Sequence, residues 1–209
     1  MTDANTDLSR LDWTKGDGLL PAIVQHWRSG EVLMLGYMNA DALAQTQASG
    51  RVTFYSRSKQ RLWMKGEGSG HVLALKSIRR DCDADTLLIQ ADPHGPTCHT
   101  GTSSCFGDSS EVRPPLGFLA ELDALVAQRH AERPAGSYTT QLFDGGIRRV
   151  AQKVGEEGVE TALAAVAQDD EALRGEAADL LFHLVVALRA RGLSLADVVA
   201  VLADRHRPR

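Results

Sequence analysis

The chain has 209 residues, 43% of them hydrophobic, which suits one large or two small folded domains rather than a disordered chain. A formal net charge of −4 gives no electrostatic basis for nucleic-acid binding, and no apolar run approaches the length of a membrane span. The polar, acidic N-terminal stretch lacks a signal-peptide pattern and three cysteines fit a disulfide framework poorly, so we expect a cytoplasmic protein with free thiols.

Short apolar runs separated by glycines and turns occupy the first half of the chain. Four runs rich in β-branched, leucine and aromatic residues predict strands: EVLMLGYM, RVTFYS, HVLALKSI and TLLIQAD. One helix is predicted between the first two, at NADALAQTQAS, with Asn39 as its N-cap.

After the paired prolines of EVRPP, apolar residues recur at three- and four-residue spacing, which predicts helices. The helical segments are LGFLAELDALVAQRHAER, IRRVAQKVGEEGVETALAAVAQ, DEALRGEAADLLFHLVVALRARG and SLADVVAVLADRH, the last with Ser194 as a candidate cap. The segment RPAGSYTTQLFDGG is predicted to be a loop. The chain is therefore predicted to have a β-rich α+β domain (1–112), a proline linker (113–115) and an all-α helical-bundle domain (116–209).

Three aspartates alternate with other residues in DCDAD, between two predicted strands. If these residues continue as extended chain, Asp81, Asp83 and Asp85 point to one face and Cys82 to the other. Carboxylates gathered in this way repel one another unless a cation lies among them, and hard oxygen ligands suit Mg²⁺. An acidic turn is the alternative interpretation.

All three thiols of the chain, Cys82, Cys98 and Cys105, lie within or shortly after this run. Catalytic zinc usually has three protein ligands and an open position for water, so the thiol count suits Zn²⁺. Buried cysteines that act as small hydrophobic residues are the alternative. Because a strand gives Cys82 no direct way to face the other two thiols of its own chain, a zinc site shared across a dimer is a further interpretation.

The segments DCDADTLL and GPTCHTGTSSCF closely resemble the phosphoribosyl-AMP cyclohydrolase family, and VLMLGYMN and VTFYSRSKQRLWMKGEGSGH match it too. The resemblance implies that the three aspartates bind Mg²⁺ and the three cysteines bind Zn²⁺, with Cys82 supplied by the dimer partner. It also implies the reaction, in which water activated by zinc attacks C6 of an adenine ring alkylated at N1 and the N1–C6 bond breaks. Gly68 departs from the family, which more often has threonine there, and this leaves the substrate contacts of that loop open.

His99 follows a proposed zinc ligand directly and is a candidate proton shuttle, because an unperturbed histidine titrates near pH ~6.5. A purely structural histidine is the alternative. The same two interpretations apply to His71.

The run SRSKQRLWMKGEGSGH combines four cations with glycines that let backbone N–H groups approach an anion. Arg57, Lys59, Arg61 and Lys65 are candidate phosphate contacts, and Trp63 is a candidate stacking surface for the purine. A basic hairpin with an ordinary core tryptophan is the alternative.

The helical half carries a second group of carboxylates. Glu156, Glu157 and Glu160 lie within about one helical turn of one another, and Glu176 and Asp179 lie three residues apart in the next helix. A solvated acidic face would explain one such helix. The apolar setting of Asp179 in AADLLFHLVV is nevertheless poor for an unpaired carboxylate, and two facing helices would together bind Mg²⁺.

This half, from about Leu116 onward, resembles phosphoribosyl-ATP pyrophosphohydrolase in SYTTQLFDGGIRRVAQKVGEEGVETALAA and GEAADLLFHLVVAL. The resemblance implies that the five carboxylates hold a metal that neutralises the triphosphate and activates water for attack between the α and β phosphates. Lys153 and Arg148 are candidate phosphate contacts, with exposed helix cations as the alternative. His183 is expected to be a core residue and is given no role.

Together the two resemblances imply a bifunctional, homodimeric hydrolase of histidine biosynthesis that acts on small-molecule nucleotides, with neither nucleic acid nor a membrane as partner. A fusion in which one domain has lost activity is a nearer alternative. A zinc-stabilised binding module fused to a helical dimerisation domain is the alternative from another class. A structural zinc normally has four protein ligands, so three cysteines favour the catalytic interpretation.

Overall fold

The computed structural model of the protein describes residues 6–107 and 116–207. The chain divides into two compact units, Met1–Gly117 and Phe118–Arg209. The first unit contains strands and the second consists of helices, which confirms the predicted order of a β-rich and an all-α domain. The predicted linker at 113–115 and the boundary at 112 lie outside the described residues, so these bounds stay a prediction. Neither described segment contains a helix long and apolar enough to cross a membrane.

Six strands form the framework of the first unit in the part of it that the structure describes: β1 (Leu20–His26), β2 (Val32–Met38), β3 (Thr53–Ser56), β4 (Arg61–Met64), β5 (Leu73–Arg80) and β6 (Leu87–Pro93). Four of them form a mixed sheet in the order β2-β1-β6-β5. Strand β1 pairs antiparallel with β2 and parallel with β6, and β6 pairs antiparallel with β5. Strands β3 and β4 form a separate antiparallel hairpin.

The two central strands show why this sheet folds. Every second residue at the start of β1 and of β6 is buried, as alternation along a strand requires. All of these residues except Leu20 form one core cluster with residues of β2, β3 and the first helix, α1 (Ala40–Ser49). Asn39 caps α1 by accepting a hydrogen bond from the Ala42 N–H at 2.8 Å, which confirms the predicted cap.

Sequence patterns predicted β2, β3, β5 and β6 but missed β1 and β4. Strand β1 contains Pro21, which argues against a central strand because proline has no N–H to donate. The structure accommodates it because pairing with β6 begins only at Ala22, so Pro21 lies beside one strand rather than two.

From Gly117, the last residue of the first unit, onward, the described residues form five helices: α2 (Gly117–Glu132), α3 (Tyr138–Asp144), α4 (Gly146–Ala167), α5 (Asp170–Ala190) and α6 (Leu195–Arg205). Helices α4 and α5 pack against each other and are connected by only two residues. Val126, Val150 and Val185 are among the residues of the core cluster. Ser194 precedes α6 as predicted, and its N–H donates to Asp197 Oδ2 at 2.7 Å.

Helix α3 corrects the prediction of a loop over RPAGSYTTQLFDGG. Its two adjacent threonines have low helix propensity, and seven residues are too few to show a clear helical period. Burial stabilises the helix instead, since Thr139, Thr140, Leu142 and Phe143 are all buried. The Ser137 hydroxyl accepts from the Thr140 N–H and caps the first turn.

Candidate active sites

The run DCDAD is a turn, so the extended conformation on which one interpretation depended does not form, and the backbone follows the alternative of an acidic turn. Asp81 Oδ1 accepts hydrogen bonds from the N–H groups of Asp85 and Thr86, at 3.0 and 3.2 Å. Ala84 adopts a left-handed conformation with φ 64°. An aspartate that bonds to backbone groups a few residues ahead stabilises such a turn at the expense of a strand.

The turn, rather than alternation along a strand, gathers the three carboxylates. Ligand oxygens of Asp81, Asp83 and Asp85 all lie within 4.8 Å of one another. Hard oxygen donors held this close fit a cation such as Mg²⁺, because their mutual repulsion requires a positive charge.

Lys15 supplies a positive charge at this turn. Its Nζ lies 2.7 Å from Asp83 Oδ2 and 3.1 Å from Asp85 Oδ2. The hydrogen bond from Lys15 holds the pKa of Asp83 below its usual range. Asp12 brings the N-terminal segment to the turn, since its N–H donates to the Ala84 carbonyl at 2.8 Å. Sequence reasoning missed Lys15, because 68 residues separate it from Asp83 and no spacing rule connects them.

A pocket of about 470 Å³ is the second feature of the first unit. Its lining includes six residues that the sequence singled out: Trp63, Lys65, His71, Cys98, His99 and Cys105. Cys82 is not among the lining residues; it is exposed, with its Sγ 3.9 Å from Asp83 Oδ1. Within one chain the structure therefore brings together two of the three proposed zinc ligands. Two thiols in a pocket fit zinc, which usually has at least one further protein ligand.

The two thiols of the pocket have different acidities. The Thr100 hydroxyl donates to Cys98 Sγ at 3.1 Å, and this hydrogen bond is the largest cause that lowers the pKa of Cys98 to about 6. Burial raises the pKa of the Cys105 thiol. Cys98 is therefore the thiol that is readily available as thiolate, the form that binds metal, at neutral pH.

Lys65 lies in the wall of the pocket with only 8% of its surface exposed. Its Nζ donates to the His71 carbonyl at 3.2 Å, and burial lowers the pKa of its ammonium group. Trp63 also lines the pocket and stacks on the core residue Phe54, with ring centroids 5.7 Å apart. Trp63 thus contacts both the core and the cavity, so both sequence interpretations describe part of its environment.

Arg57 and Arg61, also predicted to contact phosphate, are not among the residues that line the pocket. The Arg57 guanidinium lies 3.8 Å from the centre of the Tyr37 ring. Arg61 forms an ion pair with Glu67, which does line the pocket. A phosphate bound by Arg61 would therefore compete with this carboxylate.

Glycines shape the loop between Lys65 and His71. Gly66 has φ 84°, and a Cβ there would lie 2.4 Å from the His71 carbonyl oxygen, so this wall of the pocket requires glycine. At Gly68, by contrast, a Cβ would meet no described atom within 4 Å. The fold therefore has room for a larger side chain at Gly68, so no steric requirement explains the glycine there.

The second unit gathers carboxylates between α4 and α5. Ligand oxygens of Glu157, Glu176 and Asp179 lie within 4.8 Å of one another. Glu160 lies close enough for the charges of Glu157 and Glu176 to raise its pKa, after burial as the larger cause. Glu156 is directed elsewhere and accepts hydrogen bonds from Gln152 and Lys153, at 2.7 and 2.9 Å. The cluster fits a divalent cation by the same argument as the aspartate turn.

The buried member of this cluster is Glu157, with 5% of its surface exposed. Asp179 is exposed, which corrects the expectation that it lies in an apolar setting. Lys153 Nζ lies 2.8 Å from Glu157 Oε1, and this hydrogen bond lowers the pKa of Glu157. Lys153 therefore neutralises the acidic helix in this structure, where sequence reasoning offered it as a phosphate contact.

Comparison with known proteins assigns each unit to a family. A family model of phosphoribosyl-AMP cyclohydrolase matches residues 34–107, and one of phosphoribosyl-ATP pyrophosphohydrolase matches residues 119–206. A protein from Xanthomonas axonopodis pv. citri named "Histidine biosynthesis bifunctional protein HisIE" is 67% identical over 95% of this chain and 94% of its own length. Proteins with the same name from Salmonella typhimurium and Vibrio cholerae are 59% and 54% identical, over 94% and 95% of this chain and 95% and 94% of their own lengths.

Proposed function

Because the chain belongs to the family of bifunctional histidine-biosynthesis proteins with phosphoribosyl-AMP cyclohydrolase and phosphoribosyl-ATP pyrophosphohydrolase domains, we propose that its two units carry these activities at two separate sites. The observation that supports this division is the distribution of reactive groups. The pocket with two thiols lies wholly in the first unit, and the cluster of Glu157, Glu176 and Asp179 lies wholly in the second.

The first site opens the adenine ring of phosphoribosyl-AMP. Cys98 and Cys105 would hold Zn²⁺ together with Cys82 of a second copy. Bound zinc would activate a water molecule for attack at C6 of the purine. Trp63 would offer its ring face to the base, and His99, which lines the same pocket, would move the proton lost by the attacking water to N1 as the N1–C6 bond breaks. The turn of Asp81, Asp83 and Asp85 would hold Mg²⁺ in place of Lys15.

The second site releases pyrophosphate from phosphoribosyl-ATP. Glu157, Glu176 and Asp179 would hold Mg²⁺, with Glu160 beside them and Glu156 next to Lys153. Bound Mg²⁺ would neutralise the triphosphate and activate water. The chain holds Glu157 in a buried position with Lys153 Nζ 2.8 Å from its Oε1, so a cation bound there would share this carboxylate with Lys153 or displace it. The product of this site is the substrate of the first.

The active form is a homodimer located in the cytoplasm. Three free cysteines suit a reducing compartment. The apolar side chains of Val159, Leu163 and Val166 follow one another at helical spacing along α4 and are all more than half exposed. A second copy would cover such a row, and it would also bring its Cys82 to the pocket of the first.

Two matched variants test whether each unit carries one of the two activities. We expect Cys98→Ser to lose ring opening while it still releases pyrophosphate from phosphoribosyl-ATP, because the thiol belongs only to the first site. Glu157→Gln should do the reverse: it should lose pyrophosphate release but still open the ring of supplied phosphoribosyl-AMP. If each variant lost both activities although it remained folded, the proposal of two separate sites would be contradicted. Unchanged activities in both variants would contradict the roles given to Cys98 and Glu157, and no activity from folded, metal-replete wild-type protein would favour the binding-module alternative.

A further inference from the structure

His183 lies beside the carboxylate cluster of the second unit, and both nitrogens of its ring have partners. It is buried, with 4% of its surface exposed. Its Nδ1 lies 2.9 Å from the Asp179 carbonyl oxygen and 3.6 Å from Glu157 Oε1. Its Nε2 lies 3.1 Å from the Tyr138 hydroxyl. One imidazole ring thus connects α3, α4 and α5 next to two of the proposed metal ligands.

The partners of the ring fix its tautomer. A carbonyl oxygen can only accept a hydrogen bond, so Nδ1 must carry the proton and donate it to Asp179. In a neutral imidazole Nε2 is then an acceptor, and the Tyr138 hydroxyl donates to it. Neither nitrogen keeps a free lone pair for a metal, so this arrangement excludes His183 as a ligand.

The orientation of the His183 ring determines which ring atom lies nearest the Glu157 carboxylate. The Nδ1–H group donates to the Asp179 carbonyl, and the same nitrogen lies 3.6 Å from Glu157 Oε1, which accepts from Lys153 at 2.8 Å. The buried ring therefore bonds to the backbone that carries Asp179 and lies against the carboxylate of Glu157. Groups that hold the ligands of a metal in this way commonly change its affinity about 10- to 100-fold when they are removed.

We propose that His183 is a positioning residue of the pyrophosphohydrolase site, and that it orients Glu157 and Asp179 for Mg²⁺ while Tyr138 fixes its ring. This inference rests on the proposed function, since it assigns His183 to the proposed magnesium site. It also assigns a role to a residue that sequence reasoning placed in the core without one. Tyr138 belongs to α3, the helix that the sequence pattern missed, so the link between the two side chains was visible only in the fold.

The test compares two substitutions of His183 in the full-length chain. Asparagine places an amide N–H near the position of Nδ1 and keeps the donor, whereas phenylalanine keeps the ring volume and removes the donor. We expect His183→Phe to weaken Mg²⁺ binding about tenfold, measured by calorimetry in a chain whose first cluster carries Asp83→Asn. His183→Asn should keep most of the affinity, and the half-saturating Mg²⁺ concentration for pyrophosphate release should follow the same order.

Tyr138→Phe provides a second variant should His183→Phe fail to fold. It removes only the hydroxyl, so we expect a severalfold weaker affinity for Mg²⁺ and an activity that recovers when Mg²⁺ is raised to saturation. Ring opening of supplied phosphoribosyl-AMP by the chain without Asp83→Asn should stay normal in all three variants, which shows that the first unit is intact.

Equal Mg²⁺ affinity in wild type, His183→Phe and Tyr138→Phe, with only the unfolding temperature lowered, would overturn the inference and leave His183 a packing residue. A KM for the nucleotide that stays raised in Tyr138→Phe at saturating Mg²⁺ would overturn it in favour of direct substrate contact. Wild-type protein that releases no pyrophosphate at all would refute the proposed function instead, so the two failures are distinct.

Discussion

Each of the two carboxylate clusters holds a lysine of the chain itself. Lys15 contacts Asp83 and Asp85 across 68 and 70 residues of sequence, and Lys153 contacts Glu157 from one helical turn away. Both lysines do in this structure what a divalent cation would do, since they neutralise carboxylates that otherwise repel one another. Lysine and Mg²⁺ must therefore compete or share the same oxygens.

The competition can be measured at Lys15. We predict that Lys15→Met tightens Mg²⁺ binding at the aspartate turn roughly two- to fivefold, because an exposed ion pair no longer has to be broken. Calorimetric titration of the full-length chain in a Glu157→Gln background would show the difference. Lys15→Arg keeps the charge and should leave the affinity near that of wild type. Weaker binding in Lys15→Met would mean that Lys15 supports the metal-binding shape of the turn instead.

The acidity of Cys98 gives a second prediction. With a pKa of about 6, its thiol is mostly thiolate at pH 7, whereas burial raises the pKa of Cys105. In protein stripped of metal, alkylation of Cys98 by iodoacetamide should therefore accelerate with a midpoint near pH 6 and level off above it. Cys105 should still be accelerating at pH 9. Mass spectrometry of the modified peptides at several pH values measures both rates.

Thr100→Val is the matched control for Cys98, because it removes the donating hydroxyl and preserves the shape of the side chain. It should move the midpoint for Cys98 upward. A midpoint for Cys98 that stays near pH 6 in Thr100→Val would contradict the assignment of the shift to this hydrogen bond.

Among the secondary-structure elements, α1 was predictable because its signals are local. Asn39 lies directly before the helix, its side chain accepts from the Ala42 N–H at 2.8 Å, and Gly50 ends the helix with φ 67°. We predict that Asn39→Ala lowers the free energy of unfolding of the first unit by about 1 kcal/mol, as a lost N-cap usually does. Denaturant unfolding measures this loss, and Asn39→Asp, which keeps the acceptor, should recover most of it.

Helix α3 and strand β1 were not predictable in the same way, because tertiary contacts decide them. Thr139 and Thr140 disfavour a helix until burial compensates, and Pro21 disfavours a central strand until the register places it beyond the pairing with β6. The DCDAD turn is another element that the sequence pattern alone did not decide. Its alternation was compatible with extended chain or with an acidic turn, and the Asp81 side chain decides for the turn because it accepts hydrogen bonds from the backbone N–H groups of Asp85 and Thr86.

The same distinction between local signals and tertiary contacts applies to the candidate sites. Chemical type and clustering in sequence singled out the aspartates, the thiols and the glutamates as candidate metal ligands. The fold gathers the three aspartates, two of the thiols, and Glu157 with Glu176 and Asp179. The environment of each residue was not predictable, since it depends on partners distant in sequence. Lys15 beside Asp83 and Tyr138 beside His183 are contacts that only the fold reveals.

For the whole molecule, the position of Cys82 away from the pocket predicts a site built from two chains. Cys82→Ser and Cys98→Ser should each abolish ring opening alone. When the two chains are co-expressed, mixed dimers contain one site with all three thiols, so ring opening should return to about a quarter of the wild-type value. Activity with phosphoribosyl-AMP as substrate measures the recovery. No recovery, in dimers shown to be mixed, would mean that the zinc site does not cross between chains.

The most direct test of two activities at two sites follows the wild-type chain with phosphoribosyl-ATP and Mg²⁺, while pyrophosphate release and the ultraviolet change of ring opening are recorded together. We predict both signals, with pyrophosphate first, and loss of the second signal alone when zinc is selectively removed. Pyrophosphate release without ring opening from zinc-replete protein, or ring opening that persists in zinc-free protein, would contradict this account.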